Sequence, residues 1–172
     1  MFGRRRLMPF AIYMALLAAP AAAAPSSATV NATVKASVVK PLSLTALQDL
    51  DLGTIALGNG SWSGAIVSLS RTGVFSCANV NTTCSGARQV ANYSVAGTNK
   101  QIVQITAPNA TLVNQSDGTK TLTMVMDAPA SVALPNSGNP GIDFSVGGSI
   151  TLNSATAGGL YSGTLNITVD YQ

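Results

Sequence analysis

The sequence predicts an all-β fold, a β-sandwich, and three observations carry that prediction. Apolar and polar residues alternate strictly near both ends of the chain, once an N-terminal leader is set aside. Successive side chains of a strand point to opposite faces, so a period of two predicts half-buried strands. Between these ends, short apolar segments are separated by Gly, Asn, Asp and Pro, and no stretch predicts a helix of normal length. Many short strands with such turns favour a sandwich.

The leader has the layout of a secretory signal peptide. Three arginines (4–6) precede an apolar run (7–17), and a stretch of small residues follows. The run is short for a membrane span, and an Ala-x-Ala pattern predicts cleavage after Ala23. We therefore expect export through the periplasm to the cell surface or the medium. The expected organisation is a signal peptide (1–23), an N-terminal extension (24–40) and a sandwich domain (41–172).

The charge and the cysteine content of the part that we expect to be exported indicate which partners and which chemistry it can have. Of nine basic residues in the chain three lie in the leader, so the remainder has six basic and six acidic residues. A nucleic-acid partner is therefore not expected. Cys77 and Cys84 are the only cysteines. In an oxidising compartment two cysteines this close predict a disulfide, and a metal site lacks histidine or further thiols.

The extension contains the longest alternation in the chain. From Ala28 to Val38 one face carries only valine and alanine, and the other carries Thr, Asn, Lys and Ser. The apolar face consists of Val30, Ala32, Val34, Ala36 and Val38. Small inward residues of this kind suit a narrow groove. Lys40-Pro41 then interrupts the ladder, because proline donates no hydrogen bond.

The domain that follows divides into short strands. In Gln48–Gly53 we expect Leu50 and Leu52 to point inward and Asp49 and Asp51 outward. The other expected strands are 54–57, 65–69, 90–95, 101–106, 111–114, 121–126, 142–146 and 150–152. Asp117-Gly118 predicts a hairpin, and Gly147-Gly148 predicts a turn between two separate strands.

The closing segment is the second clean alternation. Leu165, Ile167, Val169 and Tyr171 share one face, and Asn166, Thr168 and Asp170 share the other. A strand in this position either pairs within its own sheet or leaves an edge that something else covers.

Catalytic chemistry is poorly represented. The chain has no histidine and no glutamate, which removes the usual general bases and every histidine-dependent triad. Asp49 and Asp51 offer two oxygens where calcium needs six or more, so we expect a solvated strand face there. Trp62 is a candidate sugar platform, but packing beside a turn is the favoured interpretation. We expect no enzyme, no catalytic residue, no metal and no cofactor.

The two alternating ends resemble those of a known family. Gly159 stands fourteenth from the end and Tyr171 is penultimate, as in the C-terminal motif of chaperone–usher fimbrial subunits. More broadly, Pro41–Thr45, Gln48–Gly53, Val146–Gly148 and Gly159–Gly163 with Val169–Tyr171 resemble an uncharacterised family of small exported bacterial domains. That family is similar to the Mat, or common-pilus, type of major pilin.

The resemblance implies an immunoglobulin-like sandwich that lacks its last strand. A periplasmic chaperone, and then the extension of the next subunit, would fill the groove, with an outer-membrane usher completing assembly into a pilus. It implies that Val30, Ala32, Val34, Ala36 and Val38 form the donor strand. Gly159, Leu165, Ile167, Val169 and Tyr171 would belong to the groove strand that binds the chaperone.

A second interpretation stays open at this point. The domain could be a stand-alone secreted or surface module for adhesion or glycan binding, with Ala28–Val38 as a strand of its own complete sandwich. Whether that stretch pairs within its own domain or with a neighbour separates the two interpretations.

Overall fold

The computed structural model describes residues 28–135 and 141–172. The expected signal peptide (1–23) and the start of the expected extension (24–27) lie outside these residues. The chain divides into two units, Met1–Ala36 and Ser37–Gln172. In the described part of the first unit, residues 28–36, every side chain is exposed and none belongs to a strand.

The second unit is built of antiparallel β-strands, which confirms the all-β, sandwich-like fold. Its described residues include no helix, and therefore none long and apolar enough to span a bilayer. The strands are β1 Ser43–Gln48, β2 Thr54–Leu57, β3 Ala65–Leu69, β4 Phe75–Ser76, β5 Thr82–Ser85, β6 Ala91–Ala96, β7 Ile102–Thr106, β8 Ala110–Asn114, β9 Thr121–Asp127, β10 Ser131–Ala133, β11 Ile142–Leu152, β12 Tyr161–Ser162 and β13 Thr168–Tyr171.

The strands form three curled sheets. The largest has the order β1-β6-β11-β9-β8-β12, with β3 paired to β11 and β4 paired to β3. The second has the order β10-β7-β13, and the third pairs β2 with β5. The hairpin expected at Asp117-Gly118 connects β8 and β9, whose register places Val113 opposite Thr121.

One strand corrects the sequence analysis. The turn expected at Gly147-Gly148 is wrong, because β11 runs unbroken through both glycines. Its first half pairs with β6, while its second half pairs with β3 on one edge and β9 on the other. A Cβ on Gly147 would collide with the carbonyl oxygen of Leu69. The glycine therefore permits a close approach of two backbones where the strand changes partners, which local sequence does not distinguish from a turn.

The apolar residues form two clusters. The first consists of Leu52, Ala65, Val67, Leu69, Ala110, Leu112, Met124, Ile150 and Leu152. The second consists of Ala91, Tyr93, Val95, Val103, Ile105, Leu134, Phe144 and Val146, with Tyr93 stacked on Phe144 at a centroid distance of 5.6 Å. Leu50, Met126 and Leu165 are only half-buried and pack against both clusters. These three residues connect the two clusters into one interior.

Candidate functional site

A groove of about 790 Å³ opens into the interior of the second unit. Its floor is made of apolar side chains of the first cluster, namely Leu52, Leu112, Met124, Ile150 and Leu152. Its walls come from two chain segments, 46–57 and 156–165. A groove that reaches core side chains offers an apolar surface to a ligand of extended shape.

The first wall is formed by the end of β1 and the segment that continues into β2. Leu50, Ile55 and Leu57 are half-buried and line the groove. The segment is held from behind, because Asp51 and Gln89 exchange both backbone hydrogen bonds and β2 pairs with β5. Within the described residues β1 pairs with β6 alone, so it keeps one edge unpaired. Such an edge can accept another strand.

The second wall ends at Leu165, where the closing segment begins. Burial alternates along this segment, with Leu165, Ile167, Val169 and Tyr171 half-buried and the residues between them exposed, as the sequence analysis expected. Only Thr168–Tyr171 forms a strand, β13, because pairing with β7 begins at the Thr168–Thr106 pair. Among the described residues β13 has no second partner. The strand that follows this wall therefore also has one unpaired edge.

Gly159 begins this second wall and lies against a buried amide. Its φ is +139°, and a Cβ there would lie 2.6 Å from Asn114 Nδ2. Asn114 is 2 % exposed, donates to the Gly158 carbonyl at 3.0 Å and accepts the Ser116 amide at 2.8 Å. Only glycine combines that backbone conformation with so close an approach. The sequence analysis did not identify Asn114, since an Asn at a strand end is common in turns.

Tyr171 holds the end of the closing segment through its hydroxyl. The phenol donates to the Lys40 carbonyl at 2.7 Å and accepts the Thr98 amide at 2.7 Å. The Lys40 amide donates to Thr98 Oγ1 at 2.6 Å. These three residues, Lys40, Thr98 and Tyr171, form a latch. The latch joins β13 to the residue that follows the exposed segment 28–39. The three residues are far apart in sequence. The alternation of the closing segment therefore predicts that the Tyr171 ring turns inward, but it does not predict the hydrogen bonds of the hydroxyl.

The rim of the groove is acidic. Its lining includes Asp49 and Asp51 and no basic residue. Tyr93 also lines it, and the pKa of its phenol is raised, first by burial and then by the Asp49 carboxylate. The outward position expected for both aspartates is confirmed by their exposure. Among the described residues no three His, Cys, Asp or Glu side chains come together in a group that could hold a metal ion.

The expected donor residues are the most exposed apolar side chains near the N-terminus. Val30 is 89 % exposed, and Val34 and Val38 are each 90 % exposed. Ala32 and Ala36 are exposed as well. No residue from 28 to 39 belongs to a strand. This segment thus has the alternating sequence of a β-strand but forms no strand in the structure.

Three other candidate residues, Cys77, Cys84 and Trp62, have structural roles. The predicted disulfide is confirmed, with Cys77 and Cys84 joined across a separation of seven residues. Cys84 lies opposite Ile55 in the β2–β5 ladder, so the bridge braces the first wall from behind. Trp62 is half-buried, packs on the first cluster and donates from Nε1 to the Gly58 carbonyl at 3.0 Å. This bond fixes the indole beside Gly58, the residue that follows β2.

Comparison with known proteins gives a family for the domain. The family described as Domain of unknown function (DUF4402) matches residues 42–171, about three quarters of the chain. The chain belongs to this family. No curated protein and no solved structure matches the chain. The matched region begins at the residue before β1 and ends with Tyr171, so it includes both walls of the groove and excludes the exposed segment 28–39.

Proposed function

We propose that this chain is a structural subunit of a surface fimbria, assembled by donation of a strand between copies. The observation that carries the proposal is a pair of features in the described part of one chain. An apolar groove lies beside β1, which has an unpaired edge, and its second wall continues into β13, which has another. A separate segment has the alternating apolar face that such a groove accepts. Strand addition gains main-chain hydrogen bonds along the edge and places alternate side chains in pockets.

The energetics favour occupancy of the groove by such a strand. Burying one valine contributes about 1.5–3 kcal/mol, so the three exposed valines supply on the order of 5–9 kcal/mol before the cost of ordering the segment. The closing-segment residues Leu165, Ile167 and Val169 would gain burial at the same time. Backbone groups on the open edges of β1 and β13 would become paired, which adds to the ladder.

The geometry of donation leads to a polymer. A subunit that gives its segment to one neighbour and receives a segment from another makes a head-to-tail contact. Such contacts extend into a fibre when the rotation between copies does not close a ring. An open apolar groove would also promote aggregation before assembly. This favours a periplasmic chaperone that fills the groove during export and an outer-membrane usher that releases it.

Deletion of residues 24–38, with the signal peptide kept, tests the proposal in the native host. We expect surface polymers to disappear, as seen by electron microscopy and by the ladder of unheated subunits on denaturing gels. A matched pair of single variants refines the test. Val34→Asn replaces a groove residue and should strongly reduce the polymer, whereas Thr33→Asn lies on the opposite face and should leave it intact. Polymers formed by the deletion variant would overturn the proposal.

A further inference from the structure

The register of the donated strand is not fixed by its apolar residues. Valine and alanine alternate along its inward face, so the valines recur every four residues at positions 30, 34 and 38. A slip of four residues places valine on valine and alanine on alanine. Slips of one residue are excluded, because they turn the polar face into the core. Registers four residues apart, about 13 Å along the strand, remain equivalent for the apolar face.

The polar face of the segment breaks this equivalence at one position. Lys35 is the only charged residue between Ala28 and Val38. It lies between Val34 and Ala36, so it points to solvent when its neighbours enter the groove. A single charge in a repeating strand marks one register, provided that the groove offers a single matching charge.

The groove rim offers that charge. Asp49 and Asp51 alternate with Leu50 and Leu52, which point inward, so both carboxylates lie on the solvent face of the first wall. Asp51 is already engaged, because its Oδ1 accepts the Gly53 amide at 2.7 Å. The Asp49 carboxylate has no hydrogen bond or ion pair with any residue of the described ranges. The Asp49 carboxylate lines the groove beside the Tyr93 phenol, whose pKa it raises. Its negative charge therefore lies at the opening of the groove.

We propose that Asp49 binds the Lys35 ammonium of the neighbouring copy and thereby selects the register of the donated strand. The inference rests on the proposed function, since it needs the segment of one copy to enter the groove of another. Lys35 and Asp49 then form a cross-strand pair on the solvent face, with Val34 and Ala36 below them beside Leu50. Opposite charges placed across two strands stabilise the pairing, and like charges weaken it.

Charge reversal in two separate variants tests the pair. Lys35→Glu brings a second carboxylate against Asp49, and Asp49→Lys brings a second ammonium against Lys35. Each variant alone should yield about tenfold less polymer. Two like charges facing each other across strands weaken the pairing, and a modest loss of binding free energy is enough to change the equilibrium constant tenfold. Co-expression of the two variants should restore assembly. The segment of the Lys35→Glu variant then fits the groove of the Asp49→Lys variant, and the reverse pairing keeps the native Lys35 and Asp49. The two variants therefore alternate along the fibre.

The controls separate this pair from general charge effects. Lys100→Glu and Asp143→Lys make the same charge changes at exposed positions outside the groove lining, and neither should reduce the polymer. Lys35→Gln and Asp49→Asn avoid like-charge repulsion and should give smaller losses. Because the pair is exposed, fibres assembled in high salt should show smaller differences between variants. Thermal unfolding of purified Asp49→Lys subunits checks that the variant folds.

The outcomes distinguish the two proposals. If the unaltered chain forms polymers and the reversal variants form as much, or if co-expression fails to restore assembly, the Lys35–Asp49 pair is overturned and strand donation stands. If the unaltered chain forms no polymer at all, the proposed function itself fails. Restoration by co-expression, with neither variant assembling well alone, supports the pair.

Discussion

The inner face of β3 and the inner face of the closing segment have the same sequence pattern and different surroundings. In β3, Ala65, Val67 and Leu69 alternate with outward residues and are almost completely buried. In the closing segment, Leu165, Ile167 and Val169 alternate just as regularly and are only half-buried. The difference lies in the neighbours that the structure describes. β3 pairs on both edges, with β11 and β4, whereas Leu165 and Ile167 precede β13 and belong to no strand, and β13 itself pairs on one edge with β7. Alternation therefore predicts which side of a strand turns inward, and the neighbouring strands decide how much of that side is covered.

The strongest test of this difference compares two leucine truncations. Leu152, on the groove floor, is 3 % exposed, and Leu152→Ala should lower the free energy of unfolding by about 2–5 kcal/mol. Leu165→Ala should cost about 1 kcal/mol in the isolated subunit, because that side chain is already half in water. Urea unfolding measures both. With a synthetic peptide of residues 28–38 bound in the groove, the Leu165→Ala cost should rise. An unchanged cost would mean that the peptide does not cover this wall.

Removal of the disulfide tests how the first wall is supported. Replacing Cys77 and Cys84 by alanine should lower the free energy of unfolding by about 2.5 kcal/mol, the loop-entropy value for a loop of this length. The loss should be concentrated in the β2–β5 ladder, whose Ile55 lies opposite Cys84. Limited proteolysis should therefore cut the 54–88 region of the variant before the rest of the body. Simultaneous cleavage throughout the domain would contradict this localisation.

Gly159 and Gly158 form a matched pair at the start of the second wall. Gly159→Ala should destabilise the domain by about 1–3 kcal/mol, because its backbone conformation is unfavourable for alanine and its Cβ would press on Asn114. Gly158 has open space where a Cβ would stand, so Gly158→Ala should be nearly neutral. Thermal unfolding of the two variants checks the contrast. Equal stabilities would remove the packing reason for glycine at position 159.

The hydroxyl of Tyr171 can be removed while the ring is kept. Tyr171→Phe loses the bonds to Lys40 and Thr98 and should cost about 1–2 kcal/mol. Hydrogen exchange of the Thr98 amide should accelerate, since the phenol is its acceptor. Tyr161→Phe is the control, because that phenol makes a single local bond to the Ala157 carbonyl. Unchanged exchange at Thr98 would show that the latch does not form in solution.

The smallest expected effect is a titration at the groove. Tyr93 has a raised pKa, with burial as the larger cause and Asp49 as the second. Asp49→Asn should lower that pKa without bringing it back to the ordinary value near 10, which absorbance of tyrosinate measures. Because the folded-state pKa is raised, the contribution to stability is complete below about pH 10 and is lost as pH rises through the folded pKa. Filling the groove should raise the pKa further by burying the phenol.

Several structural features follow from local sequence alone. The expected strand at 65–69 has the observed bounds, and the inward Leu50 with outward Asp49 needs only the period of two. The disulfide follows from two closely spaced cysteines in a chain whose N-terminal sequence predicts export. Other features do not. Gly147-Gly148 carries a turn composition, and only the approach of Leu69 explains why it lies within a strand. Asn114 and Thr98 have no recognisable pattern, because their partners are distant along the chain.

The features of the groove likewise divide into those that local sequence predicts and those that it does not. The sequence by itself determined the all-β class, the inward faces of both walls and the apolar face of the N-terminal segment, because each depends on the alternation of neighbouring side chains. Only the tertiary structure decided that β1 and β13 keep unpaired edges among the described strands, that core leucines form a floor between segments 46–57 and 156–165, and that an acidic rim lies at the opening. The pairing of strands, the covering of their edges and the positions of the charges depend on residues far apart in the chain. The alternation of neighbouring residues does not predict contacts over such distances.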